Sequence, residues 1–386
     1  MEFFAGGGMA RAGLGASWRC ILANDNCGKK ALVYQDNWGL GGELIVSDVA
    51  ELAAVECRSE IDLAWASFPC QDLSLAGAGG GLTARRSSTF FSFWNALNGM
   101  FRSVAKPKLV VIENVSGLLN SKSGADFKLL VGEFIKNGYF VGGIIVDASM
   151  FVPQSRKRIF VIGFRKDLML DPCLVATTPY GQYHPKSLVK AVNNLPESMK
   201  ADWVWLNVAP PKLRTTTLSD IVENDELVCW NTEDVTQALL NSMSEVNRMK
   251  VQAALNSAAR SVGTIFKRTR IESGVRVVRA EVRFDDIAGC LRTPNGGSSR
   301  QTLLVVDNKI VRTRLLTPRE TARLMGLSDG YRLPKNANAA YHLTGDGVVV
   351  PVVTFLKDRV FEPFIQSNRQ FRFVSISESV AGKMRI

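Results

Sequence analysis

Phe3-Phe4-Ala5-Gly6-Gly7-Gly8 places three glycines directly after a short apolar segment that begins at Glu2. Glycines at the end of a strand let the backbone approach a ligand closely where the next helix starts. Working outward, the same rhythm repeats. Apolar strand-like segments stand at Cys20–Ala23, Leu44–Val46, Asp62–Ser67, Leu109–Ile112, Gly143–Val146 and Arg158–Phe164. Between them, Cys27–Trp38, Phe90–Val104 and Ala125–Asn137 are long enough for crossover helices. Strands alternating with helices predict an α/β fold with a mostly parallel sheet. In such sheets ligands bind beyond the carboxyl ends of the strands, so the residues just after each strand are the ones to inspect.

The rhythm stops after Phe164. Residues 1–171 therefore read as the first part of a catalytic and cofactor-binding domain, 172–311 as a smaller inserted domain, and 312–365 as a return to the first. The return contains a proline-started helix at Thr317–Met325, and 366–386 is a tail with no assigned structure. The 386 residues, 46% of them hydrophobic, can bury a globular core. No apolar run reaches the roughly 18 residues that a membrane span needs, and no export signal is read at the start, so a cytoplasmic protein without a membrane partner is expected. Seven cysteines without a Cys-x-x-Cys pair, and only His184 and His342, predict no metal site. The net charge of +11 points to a polyanionic partner, and its distribution sharpens the point. Asp220–Glu245 holds seven acids and no base, whereas Arg248–Arg300 sets eleven bases against four acids. A basic surface on the insert suits phosphate contacts.

Five strand ends carry chemistry. Gly8 and Gly13 form a shortened dinucleotide-type fingerprint, which by itself fits a dehydrogenase equally well. The second strand ends in Asn24-Asp25-Asn26, where Asp25 can accept both ribose hydroxyls of a nucleoside, and Asp48 after the third strand is an acceptor for an adenine amino group. The fourth delivers Ser67-Phe68-Pro69-Cys70-Gln71-Asp72-Leu73-Ser74 into a glycine-rich stretch, a placement that suits a nucleophilic cysteine. The fifth ends in Ile112-Glu113-Asn114-Val115. Further on, Gln154-Ser155-Arg156-Lys157-Arg158 presents two arginines on one face of an extended segment.

Taken together, Pro-Cys-Gln, Glu-Asn-Val and Gln-x-Arg-x-Arg in this order resemble the 5-methylcytosine DNA methyltransferase family, over about residues 2–165 and 312–357. The resemblance implies a methyltransferase version of the doubly wound, Rossmann-like sheet with an inserted target-recognition domain. Cys70 resembles the nucleophile, Glu113 the carboxylate that engages the base, and Arg156 with Arg158 the basic pair of the site. Phe4, Ala5, Gly6, Gly8, Asp25, Asp48, Pro69 and Asp346 match contacts to S-adenosylmethionine. Gln71 and Ser74 match the loop that closes on DNA. The chain departs from the family at Asn26, where an aromatic residue is usual, and at Gly345-Asp346-Gly347-Val348, usually Gly-Asn-Ser-Val.

The implied partner is double-stranded DNA, with a restriction endonuclease acting separately and the enzyme itself a monomer. Arg85 and Arg86 are candidates for phosphates. Lys267, Arg268, Arg270, Arg292 and Thr293, the last opening a Thr293–Gly297 loop, are candidates for reading or gripping the target. A transfer-RNA cytosine methyltransferase of the same family and a non-catalytic DNA-binding relative are the competing readings.

Overall fold

The computed structural model describes residues 1–68, 89–257, 259–293 and 300–369. Its larger sheet consists of β1 (Glu2–Phe3), β2 (Ala23–Asp25), β3 (Leu44–Val46), β4 (Leu63–Ala66), β5 (Leu109–Val115), β6 (Tyr139–Asp147), β7 (Lys157–Arg165), β8 (Val175–Ala176) and β9 (Trp203–Leu206). They lie in the order β3-β2-β1-β4-β5-β7-β6-β9-β8. From β3 to β5 every pairing is parallel, and β7 runs antiparallel between β5 and β6. The strand order reverses at β1, between β2 and β4, and this switch point opens a crevice at the carboxyl ends.

Both faces of the sheet are buried, which is why its strands read as unbroken apolar runs. Leu63, Trp65, Leu109, Val111, Phe160 and Ile162 point to one face, while Ala64, Ala66, Val110, Ile112, Ile159 and Val161 point to the other. The first face is covered by helices Met9–Leu14, Pro318–Leu324 and Val350–Leu356, the second by Thr89–Met100, Ala125–Lys136 and Lys186–Asn193. Gly13 allows one of these contacts: a Cβ there would lie 2.4 Å from Val353 Cβ. Helix Pro318–Leu324 starts as its sequence predicts, with Thr317 and Glu320 forming a reciprocal capping box and proline in the first turn.

A second, antiparallel sheet has the order β11-β10-β12-β13, from β10 (Ser261–Glu272), β11 (Val275–Arg283), β12 (Thr302–Asp307) and β13 (Ile310–Leu315). On one side Leu304, Val306, Ile265, Ala280 and Val282 pack with Leu239 and Val251 of helices Glu233–Asn241 and Glu245–Asn256. The alternate residues Leu303 and Val305 join the core of the large unit. Arg314 of β13 then makes a buried two-pronged pair with Glu320, at 2.7 and 2.5 Å, which ties the second sheet to the returning helix.

The sheets divide the chain at other points than the sequence suggested. β8 and β9 extend the large sheet, Trp203 pairing with Val141, so the stretch from 172 to 206 packs with the first unit. Likewise β13 pairs with β12 through Leu315, past the expected return at 312. Helical residues continue to Arg369, and the rest of the tail lies outside the described residues. The stretch Ala337–Arg369 is long and apolar enough for a membrane span. It is interrupted at residues 347–349, however, and buries Val352, Val353, Leu356, Val360, Phe361 and Phe364 in the protein core.

Candidate active site

At the end of β1 the backbone enters the left-handed region at Phe4 (φ 57°), Gly6 (φ 57°) and Gly8 (φ 78°). Phe4 holds this conformation at a cost of about 1–3 kcal/mol, the kind of local strain that persists where neighbours over-determine it. Here the neighbours are visible. Asp25, buried at the end of β2, accepts from Gly6 N–H and Cys27 N–H, one on each carboxylate oxygen and both at 2.8 Å. Gly7 C=O accepts from Trp38 Nε1 at 3.0 Å and Tyr331 Oη at 2.8 Å. A Cβ on Gly7 would lie 2.2 Å from Tyr331 Oη, so no larger residue fits. Asp48 caps the short helix Val49–Ala54 by accepting from Ala50 N–H with one oxygen.

This turn forms one wall of a cleft of about 910 Å³. Glu113 and Arg158 line it as well, and their meeting is a consequence of register. Antiparallel pairing of β5 with β7 sets Val115 opposite Arg158 and Glu113 opposite Phe160, so the two side chains project from adjacent strands. Arg158 Nε lies 3.1 Å from Glu113 Oε1, with both side chains largely shielded from solvent.

Arg156 does something else. Its buried guanidinium donates to Leu291 C=O (3.1 Å), Gly345 C=O (2.9 Å) and Gly347 C=O (2.8 Å), and to Cys290 Sγ at 3.5 Å. It thereby fastens the segment around Cys290 and the Gly345–Val348 turn to the cleft. Gln154 assists, its side chain donating to Leu324 C=O and accepting from Leu291 N–H. The Gln-x-Arg-x-Arg motif therefore contains two clamps and one residue that faces Glu113. Cys290 itself has its thiol pKa lowered: burial would raise it, but the charges of Arg156 and Arg158 outweigh that.

Of the residues expected to hold the cofactor, Phe4, Ala5, Gly6, Asp25, Asp48 and Asp346 all line this one cleft, while Gly8 braces the turn behind it against Trp38. Pro69, Cys70, Gln71, Ser74, Arg85 and Arg86 lie outside the described residues, as do positions 294–297 of the groove loop. The expected DNA contacts separate into two groups. Arg292 and Thr293 sit beside Gly345, whose added Cβ would come within 2.8 Å of each backbone, and Arg292 is exposed at this rim. Lys267, Arg268 and Arg270 stand on the half of the β10–β11 hairpin that extends past β12. Arg268 and Arg270 both face Glu281, so part of the charge excess is neutralised within the hairpin.

Two cleft residues, and a cysteine held by Arg156, escaped the sequence reading. Lys30 pairs with Asp346 at 2.8 Å. Glu2 is buried, its Oε1 accepts from Ala10 N–H, and its Oε2 has no hydrogen-bond partner among the described residues. Burial, only partly offset by the Ala10 bond and the nearby amino terminus, raises the Glu2 carboxyl to about 7. Cys290 is the third. Glu2 carried a signal, an acid at the foot of the glycine turn, whereas Lys30 and Cys290 carried none without the contacts.

A backbone that can approach a ligand closely, an acid at each of two strand ends and an orphan buried carboxylate oxygen fit the needs of an adenosyl cofactor with a charged tail. The proteins that this chain is similar to are methyltransferases. Relatives include the type II methyltransferase M.HpaII of Haemophilus parainfluenzae, 26% identical and covering 94% of this chain and 88% of that protein. M.BanI of Aneurinibacillus aneurinilyticus is also 26% identical, covering 95% and 96%. Among solved structures, the Dnmt2 methyltransferase of S. pombe shares the fold with a TM-score of 0.56 at 17% identity, over 94% of this chain and 97% of that one. Residues 1–362, from the glycine turn through the Gly345–Val348 turn, match the family described as C-5 cytosine-specific DNA methylase, and the chain belongs to that family.

Proposed function

We propose that this DNA cytosine-5-methyltransferase acts on a cytosine flipped out of duplex DNA and passes through a covalent adduct between Cys70 and carbon 6 of the base. The observation that carries the reading is the β5–β7 register, which holds Glu113 and Arg158 3.1 Å apart on the wall of the same cleft as the glycine turn. Phe4–Gly8 would bring backbone against the nucleoside, Asp25 would accept its ribose hydroxyls and Asp48 its adenine amino group. When bound, S-adenosylmethionine supplies an electrophilic methyl group.

Carbon 5 of cytosine is a poor nucleophile. Attack of the Cys70 thiolate on carbon 6 turns the ring into an enamine whose carbon 5 can take the methyl group. Glu113 hydrogen-bonds the ring nitrogen and amino group and stabilises the charge that develops there, and Arg158 holds Glu113 and the base in register. The carbon 5 proton then leaves and the thiolate is expelled, which restores the aromatic ring. The base cannot reach the cleft while stacked, so extrusion costs a few kcal/mol. The second sheet with its two helices chooses the target, because the chemical motifs lie outside it. We infer that the enzyme works as a cytoplasmic monomer, with a restriction endonuclease acting separately on the same sites.

The test is Cys70→Ser together with trapping. The variant should bind duplex and cofactor but transfer no methyl group. Wild type should remain attached to DNA carrying 5-fluorocytosine, which cannot lose a proton from carbon 5. Normal turnover by the variant, or no trapping where ordinary DNA is methylated, would sink the covalent mechanism.

A further inference from the structure

Asp346 occupies a position where a carboxylate is out of place if it must face the carboxylate of an amino acid. Its Oδ2 accepts from Lys30 Nζ at 2.8 Å, across the cleft mouth from helix Gly28–Trp38 to the Gly345–Val348 turn. The Lys30 stem runs over the glycine turn, its Cδ 4.0 Å from the site of a Gly6 Cβ. Burial would lower the Lys30 pKa, yet pairing with Asp346 and the field of Asp25 raise it, so the ammonium stays charged. Both residues line the cleft, and the turn that carries Asp346 is fixed by Arg156 through Gly345 C=O and Gly347 C=O. A cation and an anion are thus held side by side between the ribose acid Asp25 and the Arg156 clamp that borders the Glu113–Arg158 end.

We propose that Lys30 and Asp346 form the receptor for the aminocarboxylate tail of the cofactor, Lys30 taking the carboxylate and Asp346 orienting Lys30 and accepting from the ammonium. The proposal rests on reading this cleft as the cofactor site. Two opposite charges at fixed separation complement a zwitterion, and the pair stands in the same cleft as the expected ribose acceptor Asp25, close enough for the Asp25 charge to act on Lys30. The pair has no comparable structural duty. Its side chains are 26% and 39% exposed, and ion pairs of such exposure contribute little to stability. Lys30→Met should therefore fold and melt like wild type.

Calorimetric titration with two ligands separates the tail from the nucleoside. S-adenosylhomocysteine carries the aminocarboxylate and 5′-methylthioadenosine lacks it. For Lys30→Met, which leaves Asp346 facing the ligand's carboxylate, the Kd for S-adenosylhomocysteine should rise at least about tenfold while that for 5′-methylthioadenosine is unchanged. The double variant Lys30→Met with Asp346→Asn should recover part of the loss, since the like-charge contact is gone. Equal weakening of both ligands, or no weakening of either, would overturn the assignment. If wild type bound neither ligand, the cofactor-site reading itself would fall, and this proposal with it.

Discussion

Replacing Arg156 distinguishes a positioning residue from a catalytic one. Arg156→Met keeps the apolar bulk of the stem and removes the charged head, which donates to three carbonyls at 2.8–3.1 Å and to the Cys290 thiol. A hydrogen bond to a charged group contributes about 1.5–3 kcal/mol, and an acceptor left buried without its donor adds its desolvation cost. Three such bonds do not add in full, because the Gly345–Gly347 turn lines an open cleft where water can replace the guanidinium. The loss of stability should be about 3–5 kcal/mol, a large part of the 5–15 kcal/mol available to a protein. Arg156→Lys, able to reach only part of this set from one nitrogen, should lose about half as much. Urea denaturation followed by circular dichroism would show a lower midpoint at unchanged slope. Binding of S-adenosylhomocysteine should weaken in parallel, since Asp346 belongs to the loosened turn. A variant that unfolds at the wild-type midpoint but has lost methyl transfer would refute the reasoning and place Arg156 against the substrate.

Other perturbations follow from the same cleft. The native state keeps the Glu2 proton up to about pH 7, whereas the unfolded chain releases it near 4.5, so between these values folding takes up a proton and stability falls as pH rises. The slope amounts to about 3 kcal/mol over the window; Glu2→Gln should flatten it and be the more stable protein above pH 7, and an unchanged slope in denaturation from pH 5 to 8 would disprove it. Asp25→Ala should weaken binding of S-adenosylmethionine far more than binding of DNA, and should also cost about 1–3 kcal/mol of stability, because Gly6 N–H and Cys27 N–H lose their acceptor. On the DNA side, Lys267→Ala should weaken binding to all sequences alike and flatten the salt dependence. Arg292→Ala, at the rim of the cleft, should instead cost about 1–3 kcal/mol at one position of the target, measured with matched and mismatched duplexes. A salt slope left intact by the lysine change, or uniform weakening by the arginine change, would contradict these assignments.

The strand ends were legible because a doubly wound sheet imposes a simple rule: an apolar run followed by a chemical residue marks the ligand edge. Asp25 and Glu113 could be found one strand at a time and Arg158 from the motif that opens β7, and the structure brings all three to one cleft. What a run of residues does not carry is register. The alternation in Gln154-Ser155-Arg156-Lys157-Arg158 shows that the arginines share a face, but only the pairing of Val115 with Arg158 decides which one meets Glu113 and which is spent on carbonyls from residues 291, 345 and 347. The two strands at the β8 end of the sheet were illegible for a related reason. β8 has two residues and β9 four, too short for a period to emerge, so the boundary at 172 followed the loss of rhythm rather than the end of the sheet. Lys30 marks the limit most sharply. One turn into a helix, a lysine reads as a solvated side chain, and it acquires meaning only beside an aspartate 316 positions away. Under the assignment proposed above, the departure from the family at Asp346 and the presence of Lys30 belong together, since a carboxylate that is to face a zwitterion needs a cation held beside it.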